Sequence, residues 1–96
     1  MGLSRARLST ADVERRLAEL PGWRVEDDRL RKTFVFANFV AAFGFMTKAA
    51  LEAEKLDHHP NWSNVYKTVE VELWTHDVGG LTENDLVLAA AMNRHC

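Results

Sequence analysis

His58, His59 and His76 lie close together in the chain, with Glu54 and Asp57 just upstream and Asp77 and Asp85 downstream. Imidazole is the side chain best able to give and take protons near neutrality, so the grouping points first to acid–base chemistry. Glu54 and His58 are four residues apart, and a helix continuing to Asp57 would let that carboxylate reach the imidazole and fix its tautomer. A competing reading is that histidines at a helix C-terminus answer only the negative end of the dipole. The adjacency of His58 and His59, and a third histidine ending a strand whose polar face carries Tyr66 and Trp74, favour a shallow aromatic-lined pocket around the imidazoles. Trp62 and Trp74 either pack against the core or form a stacking wall for a flat heterocycle.

Other chemistries fit less well. Three histidines can hold zinc with a fourth position left for water. Adjacent histidines diverge, however, and do not form the i, i+4 pair of helical zinc sites, and no cysteine is near. Ser63 lacks the Gly-x-Ser-x-Gly elbow that would expose a nucleophile. Gly79-Gly80 has no phosphate-loop pattern and reads as a turn before a helix.

The elements that must position these residues follow from caps and periodicity. Ser9 caps a first helix, with Asp12 in its first turn and Leu8 stapled onto Val13, and the helix runs to about Leu20, where Pro21-Gly22 stops it. Trp23 to Glu26 is a short strand turning at Asp27-Asp28. The next strand carries Leu30, Lys32, Phe34 and Phe36 on one face and Arg31, Thr33 and Val35 on the other. Asn38 caps a second helix whose core stripe is Phe39, Phe43, Met46, Ala50 and Ala53, although its Phe-rich and Ala-rich halves also suit helix-on-helix contact in an oligomer. Pro60 disfavours helical geometry at His59, so the helix ends near Leu56 to Asp57 and the histidine pair falls just past it. Val65 to His76 is the longest strand candidate, with Val65, Val69, Val71 and Leu73 on its core face and Tyr66, Glu70, Glu72, Trp74 and His76 on its polar face. Leu81, Thr82, Asp85 and Leu86 repeat the staple-and-cap signal for a last helix to about Asn93. This order predicts an α+β fold, with helices on one face of an antiparallel sheet.

Composition sets the bounds. Ninety-six residues, 47% hydrophobic and 27% charged, make one domain and argue against disorder. We expect a tail over residues 1–7 and a single domain over 8–96. A net charge of −2 with no block of one sign gives no electrostatic case for direct nucleic-acid or membrane binding. The single cysteine, Cys96, excludes an intramolecular disulfide and fits a reducing compartment. No apolar run approaches a membrane span or a secretion signal, Ala6 stands where Gly2 myristoylation needs Ser or Thr, and Cys96 lacks the residues for prenylation. The expected address is cytoplasmic.

The stretch Glu54-Lys55-Leu56-Asp57-His58-His59-Pro60-Asn61-Trp62-Ser63-Asn64-Val65-Tyr66, then Thr75-His76-Asp77 and Gly80-Leu81-Thr82-Glu83-Asn84-Asp85, resembles the pterin-4a-carbinolamine dehydratase family. Ala42-Phe43-Gly44-Phe45-Met46 fits it too, and the resemblance extends from about Leu8 to Met92. It implies dehydration of 4a-hydroxytetrahydropterin (4a-hydroxytetrahydrobiopterin) to quinonoid dihydropterin, the step that recycles the pterin of aromatic amino acid hydroxylases. It implies no metal and no cofactor, a four-stranded antiparallel sheet with three helices, and homodimers through sheet edges or homotetramers through the central helices. Its histidines map to His58, His59 and His76, and its supporting positions to Glu54, Asp57, Pro60, Thr75 and Asp85. On this reading His58 and His76 move protons, His59 holds the pterin edge and hydroxyl, and Glu54, Asp57 and Asp85 orient imidazoles. Pro60, Trp62, Trp74 and Thr75 line the substrate, the backbone at Trp74 and Thr75 meeting the amino-pyrimidine edge. Trp74 departs from the small polar residue of animal members, and its indole either narrows the pocket or stacks on the ring. The rival from another class is a protein-binding or assembly role, since vertebrate relatives serve as dimerisation cofactors for a homeodomain transcription factor.

Overall fold

The computed structural model describes residues 5–96, so the first four residues of the expected tail, including Gly2, lie outside the described residues. The elements are α1 (Thr10–Leu17), β1 (Arg24–Glu26), β2 (Arg29–Val35), α2 (Phe39–Leu56), β3 (Asn61–Val65), β4 (Thr68–Leu73) and α3 (Glu83–His95), with a 3-10 turn over His76–Val78. The strands form one antiparallel sheet in the order β1-β2-β4-β3, and the three helices complete the α+β fold expected from the sequence.

The caps act as read. The Ser9 side chain accepts from the Asp12 amide, Asn38 accepts from the Ala41 amide, and Thr82 with Asp85 forms a full capping box on α3. Asp27 and Asp28 both take positive φ (53° and 58°), the twist a two-residue hairpin needs between β1 and β2. β2 alternates as predicted, with Leu30 and Phe34 buried and Thr33 and Val35 exposed. Lys32 shares their core face because its ammonium reaches out to donate to the Pro21 carbonyl (2.9 Å) and Asn93 Oδ1 (2.7 Å).

Four expectations are corrected. α1 ends at Leu17 instead of near Leu20; the chain tightens, with Leu20 N donating to Leu17 O, and still buries Leu20. The single strand from Val65 to His76 is a hairpin, β3 and β4, turning at Tyr66-Lys67 with Tyr66 at φ 52°. The Asn64 side chain makes that turn by donating to the carbonyls of Tyr66 and Thr68. Val65 therefore leaves the core and is exposed, whereas Val69, Val71 and Leu73 are buried as expected. On α2 the core stripe is Ala42, Phe45, Ala49 and Ala53; Phe39 and Phe43 are 47% and 55% exposed and Ala50 is exposed as well. The true stripe wins because Phe45 fits between the rings of Phe34 (4.6 Å between centroids) and Phe36 (5.0 Å). α3 lies against α2 and runs on to His95, two residues past the expected end.

Candidate active site

The C-terminus of α2 sets the directions of the two adjacent histidines. Asp57 is left-handed (φ 50°, ψ 44°), its amide donates to Glu54 O (3.1 Å), and the His58 amide donates to Ala53 O (3.0 Å). This is a Schellman ending built on Asp in place of Gly. The turn carries His58 off the helix surface, so the expected Glu54–His58 pair does not form. Glu54 instead meets His59, with Oε1 2.8 Å from Nε2, and both side chains are largely exposed.

His58 turns inward, its side chain 11% exposed, and its Nε2 lies 2.5 Å from Oδ1 of the fully buried Asp85. The other oxygen of Asp85 accepts from the Thr75 hydroxyl (2.8 Å) and the Thr82 amide (3.0 Å), and Thr75 Oγ1 also meets Thr82 Oγ1 at 2.8 Å. Asp85 thus draws together the segment that follows β4, the start of α3 and the turn after α2. With the carboxylate as acceptor, the His58 proton sits on Nε2 and the Nδ1 lone pair is left to act as a base.

His76 opens the 3-10 turn after β4, not the strand end expected for it. Thr75 between them is extended (φ −102°, ψ 110°), so Trp74 and His76 lie on one side and Thr75 points inward to Asp85. The indole and imidazole stack at 4.3 Å between centroids and 8° between planes. A bridge from Thr75 N to Gly80 O (2.9 Å) and left-handed Gly79 (φ 63°) close the loop that carries His76.

Each histidine therefore has its own partner: Asp85 for His58, Glu54 for His59, Trp74 for His76. The chain His58–Asp85–Thr75 joins the turn after α2 to the residue preceding His76. Asp57 is exposed and acts through its backbone, orienting neither imidazole. Pro60 is half-buried beside the pair, and Trp62 lies opposite Val71 on the core face of β3, packed against the core. Trp62 is half-buried against the core and also borders the cleft on the sheet. Among the described residues no group of three or more His, Cys, Asp or Glu is placed to hold a metal ion. The open face of the sheet carries a separate cleft of about 440 Å³, lined by Arg24, Arg31, Thr33, Asn61, Ser63 and Glu70 among others but by no histidine.

Sequence reasoning missed Arg29. Its guanidinium carbon lies 4.0 Å from the centre of the Trp74 ring, and the hairpin register was the available signal. Continuing the pairs Arg31↔Glu72 and Leu30↔Leu73 by one step sets Arg29 opposite Trp74.

Comparison with known proteins points to one family. Residues 6–95 match the family model described as pterin 4 alpha carbinolamine dehydratase. A Rhizobium johnstonii protein provisionally named pterin-4-alpha-carbinolamine dehydratase is 60% identical over 90 residues, covering 92% of this chain and 89% of its own. One from Prochlorococcus marinus with the same name is 58% identical over 89 residues, covering 92% and 93%. The crystal structure of a Brucella melitensis protein described as transcriptional coactivator/pterin dehydratase superposes with a TM-score of 0.91 at 44% identity, over 94% of this chain and 98% of its own.

Proposed function

The chain belongs to the pterin 4 alpha carbinolamine dehydratase family, a family of hydro-lyases, and from that premise we propose that it dehydrates 4a-hydroxytetrahydropterin to quinonoid dihydropterin by histidine acid–base catalysis. The observation that carries the reading is the His58–Asp85 pair. A buried carboxylate that holds the proton on Nε2 leaves Nδ1 as a directed base, which a mere scaffold has no physical need to build.

The reaction breaks the C4a–O bond and forms the C4a=N5 bond, so N5 gives up a proton and the departing hydroxyl gains one. His58 Nδ1 takes the N5 proton. His76, at the mouth of its loop, delivers a proton to the hydroxyl. His59, steadied by Glu54, holds the hydroxyl and the pterin edge. Pro60 and the backbone of Trp74 and Thr75 border the ring. Two such proton transfers supply about 10²- to 10⁴-fold, sufficient for a substrate that already loses water slowly. The reading places the enzyme in tetrahydrobiopterin recycling beside aromatic amino acid hydroxylases, at the cytoplasmic address expected from the sequence.

We propose also that the chain works as a homodimer or homotetramer, because Phe39, Val40, Phe43 and Leu51 leave one face of α2 apolar and exposed. The double description of the Brucella relative is the reason to keep a protein-binding role in view, and the same face would serve it.

The test is stopped-flow decay of freshly generated 4a-hydroxytetrahydropterin with chelator-treated protein. Accelerated decay that drops in folded His58→Ala and His76→Ala supports the reading. No acceleration by well-folded wild type overturns it.

A further inference from the structure

The Trp74 indole is already engaged by two protein groups: the imidazole of His76 stacks on it at 4.3 Å and 8° between planes, and the guanidinium carbon of Arg29 lies 4.0 Å from its ring centre. The guanidinium is itself anchored: Arg29 Nη1 lies 3.2 Å from Glu72 Oε1, and the second oxygen of Glu72 meets Arg31 Nη2 at 2.7 Å. Arg31 reaches on to Glu26 at 3.2 Å. The stack therefore rests on a cross-strand ion-pair network on the open face of the sheet, whereas His76 itself sits exposed on a turn with few other restraints. Planar guanidinium, indole and imidazole stack well, and an arginine over a tryptophan is the favoured form of cation–π contact.

We propose that Arg29 and Trp74 are positioning residues for His76, forming a brace that holds its imidazole in one orientation for proton transfer. The inference rests on the dehydratase reading and deepens it: the indole that the sequence suggested as a substrate wall is committed to the protein. An unbraced histidine on an exposed turn samples three χ1 wells and a two-fold χ2, about six orientations in all. Losing the brace should therefore lower kcat about three- to sixfold at unchanged KM, since substrate contacts are untouched.

The experiment uses the full chain and two independent readouts. Proton NMR identifies the His76 ring resonances by their loss in His76→Gln. Under the indole face they lie upfield of those of His59, and in Arg29→Ala and Trp74→Ala they move toward the His59 position. Turnover in both variants falls about three- to sixfold at constant KM, the double variant loses no more than Trp74→Ala alone, and Trp74→Phe, which keeps a ring, recovers most of the loss. His76 resonances already at the His59 position in wild type would overturn the proposal. So would a raised KM at unchanged kcat in Trp74→Ala, with pterin quenching Trp74 emission, which would make the indole a substrate wall after all. An inactive wild type refutes the dehydratase reading instead, and the ring resonances then decide the brace alone.

Discussion

Replacing Asp85 with asparagine changes one atom type at the centre of the site and tests the tautomer argument directly. The oxygen facing Thr75 and Thr82 receives two donors, so the introduced carboxamide keeps its carbonyl on that side and the capping box survives. Its NH₂ then faces His58 Nε2, which must become the acceptor, and the imidazole proton moves to Nδ1. The geometry is preserved and the base is removed. A charge-assisted hydrogen bond is worth about 1.5–3 kcal/mol, and orienting groups of this kind typically carry about 10- to 100-fold in activity. We expect kcat for 4a-hydroxytetrahydropterin dehydration to fall by about that factor, with a loss of stability near ~1 kcal/mol. Asp85→Ala is expected to behave differently. It leaves the Thr82 amide and His58 Nε2 without their partner and should cost about 2–4 kcal/mol, a large share of a small domain's total. Stopped-flow decay and urea midpoints measured on both variants separate the two effects. A folded Asp85→Asn protein that turns over within about twofold of wild type would refute the assignment of Nδ1 as the base.

The remaining predictions are simpler. Phe45→Ala removes the ring that joins α2 to β2 and should destabilise by about 3–5 kcal/mol, read from chemical denaturation. Arg16 grips Glu83 through two contacts of 2.9 and 2.6 Å and, with burial opposing only in part, holds that carboxyl below its ordinary range. A carboxyl depressed in the folded state stabilises above its unfolded value and loses that contribution as pH falls through the folded one, so Glu83→Gln should flatten the acid limb of a stability–pH profile. Phe43→Glu puts a charge on the exposed face of α2. Sedimentation should show a smaller assembly with unchanged circular dichroism; an unchanged assembly would move the self-association surface elsewhere.

Where structure was written locally, it could be read from the sequence. Ser9, Asn38 and Thr82 with Asp85 start their helices because a side-chain oxygen three residues before an amide is sufficient cause. The β2 alternation and the helix stop before Pro60 are equally local. The phase of α2 was not legible because apolar side chains ring its first half, and the choice between Phe43 and Phe45 is made by Phe34 and Phe36 across the core. The β3–β4 turn was hidden because Tyr66-Lys67 carries no turn residue, its chemistry coming from Asn64 beside it. In the site, the histidines were visible and the family resemblance supplied Glu54 and Asp85 as orienting carboxylates, but which carboxylate meets which imidazole was not legible from spacing. Helical spacing pairs Glu54 with His58 only if the helix continues, and the left-handed backbone at Asp57 gives Glu54 to His59. The partner of His58 comes from 27 residues away, beyond the reach of any spacing rule.

The double use of the Asp85 carboxylate has a consequence for cooperativity. The oxygen that closes the first turn of α3 belongs to the group that aligns His58, and Thr75, two residues past β4, shares the same hub. Fraying of α3 from its N-terminus therefore withdraws the orienting group, and a molecule opened at that end cannot keep the alignment of His58. Hydrogen exchange at the first α3 amides and loss of activity with denaturant should follow a single curve, which ties the lifetime of the enzyme to the opening rate of one helix turn.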